Sequence, residues 1–281
     1  MRIITDSAAD FTPEELTEYR IHCVPTQVIF GQECYTPGID LSCDDFWQRM
    51  IAGEKPTTSQ PSPAAFLDAF NAAKAEDADG AVCICVSSGV SGTIQSALLA
   101  ASMCHWDQLH VVDSLSGTAG QKLLVLQACR LRDQGLSAAE IAQELNRLRR
   151  RVRLCAGLDT LEYLARSGRI PKALAGLGTL ARLKPLVEVS PEGRIGLCAK
   201  AIGRLRAIDT LAQRIVRQAI DPHYPVIPLY SFDDTNCRLL FEKLQTLGVQ
   251  ATAALCAIGP SIGPHIGPGA FGAAFVVKAE G

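Results

Sequence analysis

From Arg2 to about residue 150, short apolar runs alternate with amphipathic stretches, and that alternation leaves few folds open. "RIITDS" precedes "TPEELTEY", "AVCICV" precedes a helical pattern around Gln95 to Ser102, and "LHVVDS" precedes one around Gly120 to Asp133. Such an order predicts an α/β half built on a mostly parallel sheet, with helices on both faces. The helix ends are written in the residues. Thr12 with Glu15 and Ser137 with Glu140 form capping boxes, Pro13 suits a first helical position, and Gly135 suits a stop.

After about residue 153 the pattern changes. "LDTLEYLARSG" reads as a short helix with Asp159 as cap and Gly168 as stop. "KPLVEVSPEGRIGLCAK" reads as two strands around a Pro-Glu-Gly turn, and "AFGAAFVVKA" as a last strand. Hairpins mixed with helices predict a C-terminal α+β domain with a mixed or antiparallel sheet. The expected division is 1–152 and 153–281.

Of the 281 residues, 48% are hydrophobic and the net charge is −2. That supports a large core and argues against nucleic-acid binding, which needs an excess of Lys and Arg. The one basic cluster, Arg147 to Arg153, follows a helix and suits its C-terminal dipole, with anionic membrane as the weaker alternative. Eleven cysteines lie scattered in apolar segments with no CxxC pair or zinc spacing, so reduced thiols and no metal site are expected. The chain opens on a strand, without a signal peptide or an apolar run near the roughly 18 residues of a membrane span. A cytoplasmic protein is expected.

Ligand chemistry is expected at three strand-to-helix junctions: "TDSAAD", "SSGVSGT" and "DSLSGTAG". In a parallel sheet these lie at the carboxyl ends of the strands, where helix N-termini favour anions. "SSGVSGT" is the richest, combining Ser88, Ser91 and Thr93 with Gly89 and Gly92. It contains neither a GxxxxGK[ST] phosphate loop nor a GxSxG nucleophile elbow. "PTTSQPSP" adds Thr58, Ser59 and Gln60 on a segment that Pro56, Pro61 and Pro63 bar from a helix interior or central strand. His265 sits in the stiff Gly- and Pro-rich "IGPSIGPHIGPGAFGAAF", and Arg169 follows Gly168 in "SGRIPK". His22, His105, His110 and His223 have no motif around them.

"TTSQPSP", "SSGVSGT", "VVDS", "LEYLARSGRI" and "IGPHIGPGAFGAAF", in this order, resemble proteins of the DegV family along essentially the whole chain. The resemblance implies two α/β domains with one long-chain fatty acid in an apolar tunnel between them, no cofactor and no catalytic activity of its own. It implies that Thr58, Ser59, Ser91 and Gly92 hold the carboxylate, while His265 and Arg169 stand near the tunnel mouth to meet the carboxyl group or a kinase. The implied partner is the catalytic subunit of a fatty acid kinase, which would phosphorylate the presented carboxyl group; membrane contact would be transient. Two positions depart from the family: Ile202-Gly203 where relatives carry Arg-Thr, and Ile94 where an aromatic residue is usual. Two rival readings are a hydrolase or acyltransferase with Ser91 as nucleophile and His265 as base, and a nucleotide or sugar-phosphate module.

Overall fold

The structure is a computed structural model and describes residues 1–76, 79–174, 182–251 and 253–279. Its first strands are β1 (Arg2–Asp6), β2 (Ile21–Val24), β3 (Gln27–Phe30), β4 (Glu33–Tyr35), β5 (Thr57–Ser59), β6 (Ala81–Cys85) and β7 (Leu109–Asp113). After them come β8 (Val152–Gly157), β9 (Leu183–Val189), β10 (Ile195–Ile202), β11 (Ile227–Tyr230), β12 (Cys256–Ala257) and β13 (Phe271–Val276).

One sheet has the order β2-β1-β6-β7 with every pair parallel. Alternation along each strand feeds two faces. Ile3, Val82 and Ile84 pack under helices Thr118–Asp133 and Ala138–Leu148. Ile4, Cys83 and Cys85 pack under helices Pro63–Glu76 and Thr93–Cys104. Both capping boxes form as read.

The second sheet is mixed, in the order β10-β9-β8-β13-β11-β12, antiparallel except for β11 with β12. Its outer face carries Leu186, Phe271 and Phe275 against helices Arg204–Val216 and Thr235–Thr246. Its inner face, with Leu154, Ala156, Val187 and Ala274, shares one core with the parallel sheet. Helix Thr118–Asp133 lies between the two sheets, which explains why Leu123, Leu124, Val125 and Ala128 are all buried.

Three local readings change. A third sheet, β4-β3-β5, was not foreseen; it packs with Phe46, Trp47 and Met50 of helix Cys43–Ile51. Thr58 and Ser59 lie on its edge strand rather than on a loop, a position that adjoining prolines tolerate. Asp159 caps no helix. It pairs with Lys184 at 2.6 Å, while Thr160 Oγ1 accepts the Glu162 N–H at the start of helix Glu162–Arg166.

Candidate functional site

The three junctions converge at the carboxyl ends of β1, β6 and β7. Asp6 ends β1 fully buried and organises them: its carboxylate accepts the Val86 N–H at 2.7 Å, the Ala8 N–H at 2.9 Å and a Gln121 amide proton at 3.2 Å. Burial outweighs those bonds and pushes its pKa up to about 6. Asp10 accepts the Gly259 N–H at 2.9 Å, tying the same loop to the segment that leads to His265. Burial raises its pKa to about 7.

Above these junctions is a chamber of about 180 Å³. Thr58, Ser59, Gln60, Ser91, Gly92, Thr93, Arg169, Ser261 and His265 all line it. The site residues read from the sequence, Thr58, Ser59, Ser91, Gly92, Arg169 and His265, are all among them, whereas Ser88 and Gly89 of the same junction as Ser91 are not. Ser59 contributes least, since its exposed hydroxyl points to the Gln60 carbonyl at 3.4 Å.

Backbone geometry explains several of these placements. Gly92 precedes helix Thr93–Cys104, whose N-terminus has no side-chain cap. A Cβ there would come within 2.2 Å of Gln60 Oε1, so any other residue would push aside the Gln60 amide that bonds Ser96 Oγ at 2.9 Å. His265 lies in the short turn Gly263–Ile266, closed by Gly267 at φ 72° directly against the Tyr163 ring. Arg169, half-buried, donates from Nε to the Val90 carbonyl at 3.1 Å and so joins its segment to the SSGVSGT loop. Among the described residues it is the one cation lining the chamber.

Thr58 Oγ1 and His265 Nε2 are 2.9 Å apart. Burial, helped by the positive charges of Arg169 and Arg166, pushes the His265 pKa down to about 3, so the imidazole is neutral. Its Nδ1 is buried without a partner among the described residues. Ser91 Oγ lies 2.9 Å from Thr93 Oγ1 and accepts the Thr93 N–H at 3.3 Å. Ser91 and His265 thus bond to other residues rather than to each other, and the dyad that a serine hydrolase needs is not formed.

A second chamber, about 80 Å³, adjoins the first through Val86, Val90, Leu164, Ile195, Ile262 and Ile266, which line both. Leu154, Ala156, Val187, Leu229 and Ala270 extend its walls from the mixed sheet, and the exposed surface inside is entirely apolar. The sequence reading named none of this lining. It also missed a ring of three hydroxyls, Ser7, Thr26 and Ser261, with oxygen separations of 2.8–3.1 Å. Ser7 belongs to a junction that was singled out, whereas Thr26 carries no signal of its own.

A chamber rich in hydroxyls thus lies beside an apolar one, the two sharing six lining residues. Among the described residues no cluster of His, Cys, Asp and Glu could hold a metal ion. No helix there is long and apolar enough to cross a membrane.

The chain belongs to the DegV family: the family model described as "Uncharacterised protein, DegV family" matches residues 1–278. A DegV domain-containing protein of Lactococcus lactis subsp. lactis, YteA, is 34% identical, covering 84% of this chain and 82% of its own. A stearic acid-binding protein of Eubacterium ventriosum superposes with a TM-score of 0.87 over 99% of both chains, at 28% identity. The fatty acid kinase B3 protein of Streptococcus pneumoniae, solved with linoleic acid, shares the fold with a TM-score of 0.85 over 99% of both chains, at 23% identity.

Proposed function

We propose that this protein is a cytoplasmic, non-catalytic carrier that binds one long-chain fatty acid, with its carboxylate in the hydroxyl-lined chamber and its tail in the apolar one. The observation that carries this reading is that the two chambers lie side by side and share six lining residues. A carboxylate in a largely apolar cavity is costly unless several donors meet it. Thr58, Ser91 and the N–H groups near Gly92 supply such donors, and Ser59 adds one only by giving up the Gln60 carbonyl. Neutral His265 refines the arrangement: when Nε2–H donates to Thr58 Oγ1, the Thr58 proton is free to point at the carboxylate.

The tail supplies affinity. At about 0.8 kcal/mol per methylene, ~14 methylenes give on the order of 11 kcal/mol before ordering costs. The 80 Å³ apolar chamber takes only a few methylenes as it stands, each about the size of a water at ~30 Å³. The chain would therefore enter by turning Leu, Ile and Val side chains aside, between an N-terminal domain 1–152 and a C-terminal domain 153–281.

The finer reading is that the carboxyl group is presented to a fatty acid kinase catalytic subunit, with Arg169 and His265 nearest that partner. By the same resemblance, Ile202, 67% exposed, and Gly203 stand where an Arg-Thr pair is expected, so a partner face there would be more apolar. A membrane role for the basic cluster has less support. Arg147 pairs with Glu144, Arg149 donates to the Asp113 carbonyl, and Arg151 pairs with Asp221.

The test is organic extraction of the denatured protein followed by mass spectrometry. Near-stoichiometric fatty acid is the expected result. An empty extract, together with no binding of added palmitate, would overturn the reading.

A further inference from the structure

We propose that Ser7, Thr26 and Ser261 form a second subsite in the polar chamber, one that selects fatty acids hydroxylated close to the carboxyl group. This rests on the fatty-acid reading and names its substrate class.

The three hydroxyls come from distant segments: the turn after β1, the residue before β3, and the loop ahead of His265. Ser7 Oγ lies 3.1 Å from Thr26 Oγ1 and 2.8 Å from Ser261 Oγ, and Thr26 Oγ1 lies 2.8 Å from Ser261 Oγ. The Thr26 N–H also donates to Ser7 Oγ at 2.8 Å. Thr26 and Ser261 are 7% and 5% exposed, and both line the chamber.

Proton counting gives this wall its character. Each hydroxyl owns one proton and can accept twice. A closed ring uses every proton, and the Thr26 N–H fills the second acceptor position on Ser7. What remains is one lone pair on Thr26 Oγ1 and one on Ser261 Oγ. The wall facing the ligand there can accept hydrogen bonds but cannot donate without breaking the ring. Across the chamber, Thr58, Ser91 and the helix start offer donors.

A plain carboxylate satisfies only the donor side. A ligand that satisfies both carries an anion and, close by, an uncharged donor. The chamber is only about 180 Å³, so the two groups must sit within a few atoms of each other. An ammonium donor is disfavoured, because Arg169 adds positive charge and no acid among the described residues lines the chamber. A 2-hydroxy or 3-hydroxy fatty acid fits. With an unsubstituted acid, a water would take the hydroxyl's place.

Isothermal titration of the delipidated protein with palmitate, 2-hydroxypalmitate and 3-hydroxypalmitate tests the idea without a variant. One hydroxy acid is expected to bind about five- to tenfold tighter than palmitate, the effect of one added buried hydrogen bond. Thr26→Val, checked for an unchanged unfolding transition, should bring that ratio to one or below. Palmitate binding with both hydroxy acids equal or weaker overturns the subsite and leaves the fatty-acid reading standing. Failure of all three to bind overturns both.

Discussion

The two chambers of the cavity differ in how they recognise anything at all. The polar chamber takes its lining from short segments spread from Ala8 to Ile266, and its contacts are directional hydrogen bonds. The apolar chamber takes much of its lining from strands of the mixed sheet and offers only surface. Directional contacts fail when an atom moves by an ångström, whereas burial of apolar area scales with the length buried and tolerates reshaping. The first chamber should therefore set a fixed increment of binding free energy, and the second a slope with chain length.

The largest expected effect tests the slope. Ala270→Phe fills the apolar chamber and should displace about five methylenes. At ~0.8 kcal/mol each, that is about 4 kcal/mol, a nearly thousandfold loss for palmitate but little for a short acid, read by titration across chain lengths. A uniform loss at every length would break the distinction. Next is the increment: Thr58→Val with Ser91→Ala removes two charge-assisted bonds, about 3 kcal/mol or more than a hundredfold, equally at all chain lengths.

His265 gives a third test, through pH. Its folded pKa of about 3 lies below the unfolded value of 6.5, so the unfolded chain binds the extra proton between these limits. Stability tied to neutral His265 is full above pH 6.5 and is lost as pH falls towards 3. Between pH 7 and pH 4.5 the loss should be ~2.5 kcal/mol, at 1.36 per unit. His265→Asn should lack that loss. Asp6 and Asp10 have the opposite sign, their raised pKa values removing stability as pH rises from about 4 to 7, and they are common to both proteins. Denaturant unfolding of the two proteins at both pH values gives the difference, and parallel pH dependences would show that His265 can charge in place. Smallest is Arg169→Met, where about fivefold weaker palmitate binding at low salt should shrink at high salt.

The sequence was most legible where chemistry is local. Capping boxes at Thr12 and Ser137 and the β9–β10 hairpin depend on residues a few positions apart, and they form as read. Thr58, Ser91, Gly92, Arg169 and His265 were legible because hydroxyls, glycines and prolines crowd there without a structural use. The hidden parts depend on long-range meetings. Thr26 looks like any loop threonine until Ser7 and Ser261 close on it, and Asp159 reads as a helix cap until Lys184 draws it away. Leu154 and Ala156 look like ordinary strand residues, since an apolar side chain facing a cavity has the same sequence pattern as one facing a core.

The pairs that build the polar chamber are very far apart along the chain: Val90 with Arg169 by 79 positions, Thr58 with His265 by 207 and Ser7 with Ser261 by 254. Contacts of that span form late in folding, after the loops between them have closed. A chain still emerging from the ribosome has its parallel sheet long before it has a site, and a fragment ending before Ser261 has none. Occupancy of the cavity is thus a report that both ends of the polypeptide have met. A bound ligand should raise the resistance of the whole chain to unfolding, not that of one half.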